Sequence, residues 1–548
     1  MKPAIRYIRV LPLLAALLLG ACESGAAVAP PTIPTRAPTP QPLPTAAPQP
    51  TVVVGQRGDA APGSPLDRDS WTAGAKQGVG TAFTYDQPAG DANPSRVWFA
   101  ITDGAITEGM YPDVSLANIK SLGLLVTDGK SFVADEMADA SYTIERLDGR
   151  APAYRVTSTD KDGRWAVTKE IVVDPQANTI LFTVAFQALQ GRPEDYHLYL
   201  NYTPRIGNSG AGDLSYIKDN VAEAWDERAG LYTALVADPP PALLTTGYTG
   251  KSDLLTALNQ NRRVDATYAT TDQPGRVSIG VELPTIGVSS VALGFGKSHA
   301  DARAAAAASL KRGFAAVSQE YVQGWDGYLD ELVHPYPKLP LYDESLAVIK
   351  THEDKTRYGA FIASASIPWG DKVTDEKAGE RGYRYVWPRD LYHTAMALHI
   401  AGDDQAARDA LAFMDDHMQL PDGSFPQNTY PDGTPHAQAI QMDQVADPIL
   451  LAWQLKAAER YASLVKPAAD FILKAGPRTP QERWGETGGY VPATLAAEVA
   501  GLVCAADMAR QAGDSASADR YLKAADEWNR SIEKWTLTTS GLLGKPAY

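Results

Sequence analysis

The spacing of apolar residues changes from a period of two to a period of about 3.6 near residue 340, and this change divides the chain. Before it, apolar and polar residues alternate at 155–159 and 197–202, and 179–186 is a β-branched and aromatic run. Asp-Gly turn signals separate such segments. Many short strands with regular turns are typical of an antiparallel sandwich, which we predict over residues 67–320.

Helical periodicity dominates beyond residue 340. The helical candidates are 343–353, 389–401, 403–418, 443–460, 492–512 and 515–535. Asp343, Asp403 and Ser515 are predicted N-caps, and Pro492 suits a first helical turn. A further helix is expected at 302–317, and 321–340 is expected to be a linker. The long loops between the helices are typical of functional loops, so we predict stacked helical hairpins over 341–548 with a site at one end.

The N-terminus has the pattern of an export signal. A basic start and a short apolar run over residues 1–21 are too short for a membrane-spanning helix, which needs about 20 apolar residues. The run ends in Leu-Gly-Ala before Cys22, which resembles a lipobox and predicts lipidation of Cys22. An ordinary signal cleaved elsewhere stays an alternative. Residues 22–66 are rich in proline and predict an extended spacer, so we expect an exported lipoprotein anchored on the extracytoplasmic side.

Composition and motifs exclude several classes of function. The net charge of −15 argues against nucleic acid as a partner. Two cysteines cannot form a disulfide framework or a cysteine-rich metal site. The chain has no HExxH, P-loop, GxGxxG or GxSxG element, so no metal and no cofactor is expected. Calcium is left open because no dedicated loop supports it.

The loops between the helices combine aromatic side chains with carboxylates and arginines. They contain Ser366-Ile367-Pro368-Trp369-Gly370, Tyr385 to His393, Pro421 to Asn428 and Gln481 to Tyr490. Aromatic rings stack on the C–H faces of sugars, and charged groups bind sugar hydroxyls. Taken singly, Trp387 and Trp369 fit core packing, and Arg389 with Asp390 fits a surface ion pair or a helix N-terminal charge. Together on inter-helix loops, these residues favour a sugar site.

These same residues resemble glycoside hydrolase family 15, the bacterial glucoamylases and glucodextranases. The resemblance rests on Trp387-Pro388-Arg389-Asp390, on Pro421 to Asn428 and on Gln481-Glu482-Arg483-Trp484. Arg96 to Phe99, Glu108 to Pro112 and Leu125 to Gly129 resemble that family's N-terminal sandwich. The resemblance implies a multidomain β + α fold, a β-supersandwich followed by an (α/α)6 toroid.

The resemblance also implies a reaction and a set of contacts. The family carries out exo-acting, inverting hydrolysis of α-glucosidic bonds in α-glucans or dextrans. Arg389 and Asp390 match the pair that grips the non-reducing-end sugar. Trp387, Trp369, Trp484 and Tyr383 are the remaining predicted substrate contacts.

Two departures from the family pattern put catalysis in doubt. The family's general acid follows Glu-Arg-Trp, and here that position is Gly485. Glu486 is a weak candidate as a substitute acid. The toroid needs twelve helices and the pattern yields six or seven, so we expect an incomplete toroid and a truncated reading frame. No residue of this sequence can be matched to the catalytic base.

Three functions therefore stay open at the level of sequence. The first is an anchored α-glucan hydrolase of the glucoamylase or glucodextranase type, with an α-glucan or oligosaccharide as its partner. The second is a non-catalytic sugar-binding lipoprotein, which Gly485 favours. The third is a structural surface protein. The preference between α-1,4 and α-1,6 linkages and the oligomeric state cannot be read from the sequence.

Overall fold

The computed structural model describes residues 60–62, 70–72, 76–85, 94–334, 339, 341–365, 372–374, 382–485 and 487–539. These residues belong to one compact unit, 46–548. Cys22, the signal and most of the proline-rich spacer lie outside the described residues, as do Trp369 and Glu486. Lipidation of Cys22 and the roles of Trp369 and Glu486 therefore stay predictions.

Sixteen of the described strands form two large antiparallel sheets, and the first and the last three pair in two two-stranded sheets. The strands are β1 (Ser70–Thr72), β2 (Gly78–Thr81), β3 (Trp98–Thr102), β4 (Ala105–Met110), β5 (Ala117–Thr127), β6 (Val133–Asp135), β7 (Ala140–Arg146), β8 (Tyr154–Asp160), β9 (Trp165–Val173), β10 (Thr179–Ala188), β11 (His197–Pro204), β12 (Leu214–Lys218), β13 (Val221–Asp226), β14 (Leu231–Asp238), β15 (Leu243–Tyr248), β16 (Val277–Leu283), β17 (Val288–Gly296), β18 (Lys372–Thr374), β19 (Asn428–Thr429) and β20 (Pro435–Ala437). One sheet has the order β12-β13-β14-β17-β10-β9-β8-β7. The other has the order β15-β16-β11-β5-β4-β3-β2, with β6 beside β5. The predicted sandwich is confirmed.

The two sheets differ in how their outer faces are covered. Buried and half-exposed residues alternate along β8, as expected for a sheet with one covered face. All the residues of β3 and β4 are buried, because the outer face of their sheet packs against the helical half of the chain. Trp98, Met110 and Ala117 meet Ile362 and Ala365 there. The helical half thus packs directly against the sandwich.

The helices follow the sandwich in chain order. They are α1 (Glu136–Asp139) and α2 (Leu254–Asn261) within the sandwich, then α3 (His299–Arg312), α4 (Phe314–Glu331), α5 (Tyr342–Thr351), α6 (Pro388–Ala401), α7 (Asp404–Phe413), α8 (Met442–Gln454), α9 (Lys466–Ala475), α10 (Pro492–Gln511) and α11 (Ser515–Thr536). Helix α10 is long and apolar enough to cross a membrane by composition, but half of that stretch is buried by its packing within the helical half. The predicted multidomain β + α fold is confirmed.

Several sequence-based helix ends are wrong in detail. The predicted helix 443–460 ends at Gln454, because Lys456 has a left-handed backbone with φ of 55°. The predicted helix 302–317 is two helices, which Gly313 separates at φ of 79°. Asp343 lies inside the first turn of α5 and accepts a hydrogen bond from His334 Nε2, so it is not an N-cap.

The remaining cap predictions divide evenly between right and wrong. Asp403 caps α7 through the backbone N–H of Ala406, as predicted. The cap of α11 is Asp514 rather than Ser515, because the Asp514 carboxylate accepts from the backbone N–H of Ser517.

Residues 414–418, predicted as the end of a longer α-helix, form a π-helical turn. Helix α9 was missed.

Two close contacts tie the linker helices to the sandwich. Helix α3 lies so near β17 that a Cβ added at Gly294 would meet the carbonyl oxygen of Ala302 at 2.3 Å, so only glycine fits there. Trp325 of α4 donates from Nε1 to the carbonyl oxygen of Thr81 at 2.8 Å. Tyr328, one turn on, donates to Asp403 at 2.9 Å and so reaches the helical half.

Lys355 is a buried hydrogen-bond donor that links the two halves. Its Nζ donates to Thr81 Oγ1 and the Ala82 carbonyl at 2.7 Å each, and to the Ser95 carbonyl at 3.1 Å. It also lies 5.1 Å from the centroid of the Trp98 ring. Burial lowers the pKa of Lys355 well below its usual range. The Lys355 amine thus donates hydrogen bonds to three acceptors at one edge of the sandwich.

We predict that Lys355→Met destabilises the chain by about 2–4 kcal/mol, because it removes one donor from each of three buried oxygens. Urea unfolding followed by tryptophan fluorescence measures the effect. Lys311→Met is the matched control, because Lys311 is exposed on α3. Equal unfolding midpoints for the two variants would contradict the role given to Lys355.

Glu498 is a buried titratable group in the helical half. Its side chain on α10 is fully buried, and within the described residues neither of its carboxyl oxygens has a hydrogen-bond partner. A Cβ added at Gly476 would lie 2.5 Å from Glu498 Oε1 and 2.8 Å from the Trp528 ring, which shows how tightly the site is closed. Burial, and secondarily the charge of Asp443, raises the pKa of Glu498 to about 8.

The raised pKa predicts that the free energy of unfolding falls with rising pH. Unfolding returns Glu498 to its ordinary pKa of 4.5, so the folded chain binds the proton more tightly between pH 4.5 and 8. We expect Glu498→Gln to flatten this decline, which amounts to at most about 1.4 kcal/mol per pH unit. Urea unfolding of both chains at pH 5 and pH 8 measures it, and parallel curves would refute it.

Candidate active site

The candidate site lies where three loops meet at the N-terminal ends of α6, α8 and α10. A β-bridge pairs Val386 before α6 with Thr429 in the loop before α8. A second bridge pairs Gln441 before α8 with Gln481 in the loop before α10. Helix N-termini present unpaired N–H groups and a partial positive charge. The fold therefore brings the aromatic and charged motifs of the three loops to one end of the helical half.

Arg389 is the centre of the contacts between these loops. Its Nη1 donates to Gln441 Oε1 at 2.9 Å and to Asp443 Oδ2 at 3.0 Å. Its Nη2 donates to the carbonyl oxygen of Arg483 at 3.3 Å. The Arg389 side chain is 18% exposed and that of Asp443 is 6% exposed, so the ion pair is largely desolvated. One guanidinium thus holds all three loops in register.

Two glutamines complete this framework. Gln441 uses its amide nitrogen to bind the Glu482 carbonyl at 3.0 Å while its oxygen accepts from Arg389. Gln444 accepts from the backbone N–H of Arg389 at 3.3 Å and donates to the Gln427 carbonyl at 3.1 Å. Both glutamines are fully buried. Each amide satisfies a donor and an acceptor, so hydrogen bonds within the protein fix the loops relative to one another.

Asp390 and His393 are the titratable groups beside Arg389 on α6. Burial raises the pKa of Asp390, and the neighbouring Arg389 opposes that rise. Burial lowers the pKa of His393, and Asp390 opposes that fall. Arg389 forms its ion pair with Asp443 rather than with its chain neighbour. Asp390 is therefore a half-buried carboxyl group near a cation that is already paired.

Aromatic rings line the same region. The rings of Tyr383 and Trp387 are stacked with centroids 5.5 Å apart. Tyr385 stacks on His436 at 4.1 Å and meets Tyr430 edge-on at 5.3 Å. Tyr385 is buried, whereas Tyr383 and Trp387 are partly exposed. The exposed pair is the one available to a ligand.

The loop before α10 turns sharply at Gly485. The Gly485 N–H donates to the Glu482 carbonyl at 2.9 Å, and Gln481 Nε2 donates to the Gly485 carbonyl at 3.1 Å. Gly485 has φ of 79°, in the left-handed region that favours glycine. Trp484 is 74% exposed on this turn. Its ring therefore faces solvent, whereas Trp387 is partly buried beside Tyr383.

Buried carboxylates surround the Arg389 framework. Within the described residues, Asp443 Oδ1 and Asp447 Oδ2 are buried without a hydrogen-bond partner. Burial, and then the charge of Asp443, raises the pKa of Asp447 well above its ordinary value. Across the part of the chain that the structure describes, no group of three or more His, Cys, Asp or Glu residues could hold a metal ion.

The structure thus gathers part of the predicted site and adds residues to it. Tyr383, Trp387, Arg389 and Asp390 lie together, and Trp484 and Gly485 lie on the adjoining turn. Gln441 and Asp443 were not predicted as site residues. They lie 52 and 54 positions from Arg389, and the only signal for them was a polar start to an otherwise apolar helix.

Comparison with known proteins agrees with this architecture. Residues 61–330 match the family model for the glucodextranase N domain. Residues 338–423 and 418–544 match the model for glycosyl hydrolases family 15. An uncharacterized glycosyl hydrolase from Methanocaldococcus jannaschii is 34% identical over 161 residues, 28% of this chain and 25% of that protein.

Two longer matches cover both halves of the chain. A glucoamylase from Clostridium sp. (strain G0005) is 40% identical over 494 residues, 89% of this chain and 68% of that protein. The crystal structure of a bacterial glucoamylase complexed with acarbose superposes with a TM-score of 0.84 at 38% identity, covering 90% of this chain and 72% of that one. With its sandwich, its helical half and its arginine-centred loops, the chain belongs to glycosyl hydrolase family 15 and is a glycoside hydrolase by descent.

Proposed function

We propose that this chain binds the non-reducing end of an α-glucan at the Arg389 site and belongs to an exo-acting, inverting glucan α-glucosidase. The observation that carries the proposal is the fixed position of the Arg389 guanidinium, which donates hydrogen bonds to Gln441, Asp443 and the Arg483 carbonyl. A relative that is 40% identical to this chain is a glucoamylase, and a bacterial glucoamylase with a similar structure was solved in complex with acarbose.

Recognition of a glucose unit follows from the groups that converge there. Within the described residues, three of the five N–H groups of Arg389 bind protein acceptors, which leaves two to donate to sugar hydroxyls. The carboxyl group of Asp390 can accept a hydrogen bond from a sugar hydroxyl. Such a hydrogen bond favours the charged form of Asp390 and so opposes the rise in its pKa that burial causes. The stacked rings of Tyr383 and Trp387 offer an apolar face to the sugar.

Hydrolysis requires more than recognition. Inversion needs one carboxylic acid to protonate the leaving oxygen and a second carboxylate, about 6.5–9.5 Å away, to activate water. The acid position of the family is Gly485, which has no proton to give. The turn at Gly485 also adopts a backbone conformation that a glutamate occupies only with strain.

A second function, sugar binding without hydrolysis, is favoured by this one position. A site that retains its sugar-binding residues and lacks its proton donor would bind glucan and release it unchanged. The buried Arg389 framework would support sugar binding equally under either proposal. The two functions therefore differ in rate and not in affinity.

We expect Arg389→Ala and Asp390→Ala to weaken the binding of maltotriose or isomaltotriose by at least about tenfold, because each removes a charged hydrogen-bonding group. Isothermal titration calorimetry measures the affinities. Arg530→Ala, an exposed change on α11, is the matched control and should leave them unaltered. Binding that is indifferent to Arg389 and Asp390 would refute the proposed site.

A separate experiment decides between hydrolysis and binding. In the product of the full-length gene, if the rest of the catalytic site is intact, Gly485→Glu should raise the rate of glucose release by roughly 10²–10⁴-fold, at a cost of about 1 kcal/mol in stability for the left-handed backbone. Gly485→Gln is the matched control, because it has the same shape without a carboxyl group. Equal rates for the two variants, with binding retained, would support the non-catalytic function.

A further inference from the structure

A cleft of about 640 Å³ lies between the sandwich and the helical half, beside the candidate site. One wall is the turn between β4 and β5, with Asp113 and Leu116. A second wall is the segment after α5, with Thr356 and Arg357. The third is the hairpin before α8, which includes Tyr430 and Asp432. The volume is within the usual range of ligand sites in proteins, about 300–1,000 Å³.

Asp354 fixes two of these walls to each other. Its Oδ1 accepts from the backbone N–H groups of Thr356 at 2.7 Å and Arg357 at 2.9 Å. Its Oδ2 accepts from the backbone N–H of Val114 at 3.0 Å, which belongs to the sandwich turn. Asp354 is fully buried. The cleft is therefore part of the rigid junction between the halves and does not depend on a loose loop.

The third wall is an internally bonded hairpin. The Tyr430 N–H donates to the Thr434 carbonyl at 2.9 Å, and the Thr434 N–H donates to Asp432 Oδ1 at 2.9 Å. Tyr430 is only partly exposed, and its ring meets Tyr385, which lies edge-on to Trp387 at 6.0 Å. A layer of aromatic rings thus separates this cleft from the sugar-binding residues Trp387 and Arg389, and both sites adjoin that layer.

The chemistry of the walls suits a neutral polyhydroxylated ligand. The carboxylates of Asp113 and Asp432 can accept hydrogen bonds from hydroxyl groups. The exposed guanidinium of Arg357 can donate hydrogen bonds to hydroxyl oxygens. Charges of both signs on one cleft favour a ligand that can donate and accept without carrying charge itself. Two carboxylates disfavour a phosphate or an acidic peptide. A partly exposed tyrosine adds an apolar surface for a sugar ring.

We propose that this interdomain cleft is a second glucan-binding site, which holds a neutral oligosaccharide segment outside the Arg389 site. The inference rests on the proposed function, because it takes the same α-glucan as ligand. Its effect is to keep a polymeric substrate on the protein while the chain end enters and leaves the Arg389 site. A short oligosaccharide would not need it.

The test separates the two sites by disabling each in turn. Maltoheptaose binding by calorimetry, and retardation of the protein in gels that contain soluble starch or dextran, are measured for the whole chain. Arg357→Gln and Asp432→Asn in the cleft should weaken polymer retention by about tenfold and leave maltotriose affinity at the Arg389 site unchanged. The control is Arg228→Ala, an exposed arginine on the sandwich far from the cleft in sequence.

A double variant makes the outcome decisive. Arg389→Ala should still be retarded by polysaccharide, and Arg389→Ala with Arg357→Gln should lose that residual retention. If Arg389→Ala alone abolishes all retention, the cleft proposal is overturned while the proposed function stands. If the unaltered chain binds neither maltotriose nor polysaccharide, the proposed function fails and the cleft proposal fails with it.

Discussion

The ion pair between Arg389 and Asp443 is the interaction on which the functional end of the helical half depends. A charge removed from water is costly unless it is paired and hydrogen-bonded, and here the guanidinium receives a carboxylate, an amide oxygen and a backbone carbonyl. These acceptors come from two other loops. The loops therefore cannot move apart without exposing an unpaired buried charge, and their order follows from this penalty.

The same physical logic joins the sandwich to the helices. Lys355 supplies donors to three oxygens of the sandwich, and Asp354 beside it accepts from both halves. Burial, and secondarily the charge of Asp113, raises the pKa of Asp354 to about 6. Two adjacent residues thus fix the junction, Lys355 as a hydrogen-bond donor and Asp354 as a hydrogen-bond acceptor. The sandwich is consequently bonded to the helical half through buried hydrogen bonds and packs beside the candidate site.

Much of the fold was predictable because it is encoded locally, and the site was predictable only in part. Alternation and turn signals located strands such as β8, and caps such as Asp403 located helix starts. The end of α8 was missed, since the left-handed conformation of Lys456 has no sequence signal. The pairing of Arg389 with Asp443 spans 54 positions and is a product of tertiary packing, which periodicity does not report.

Under the proposed function, the glycine at position 485 would separate sugar recognition from catalysis in a way that an affinity measurement alone does not reveal. Interactions that hold substrate and transition state equally lower the substrate concentration needed for binding and do not raise the chemical rate. Arg389 orders the loops through its hydrogen bonds to Gln441 and Asp443, and its guanidinium is not a group that protonates a leaving oxygen. Rate must come from a proton donor that acts only as the bond breaks. Under the proposed function, the Arg389 framework can therefore bind a sugar, while position 485 is a glycine in a left-handed turn and supplies no proton.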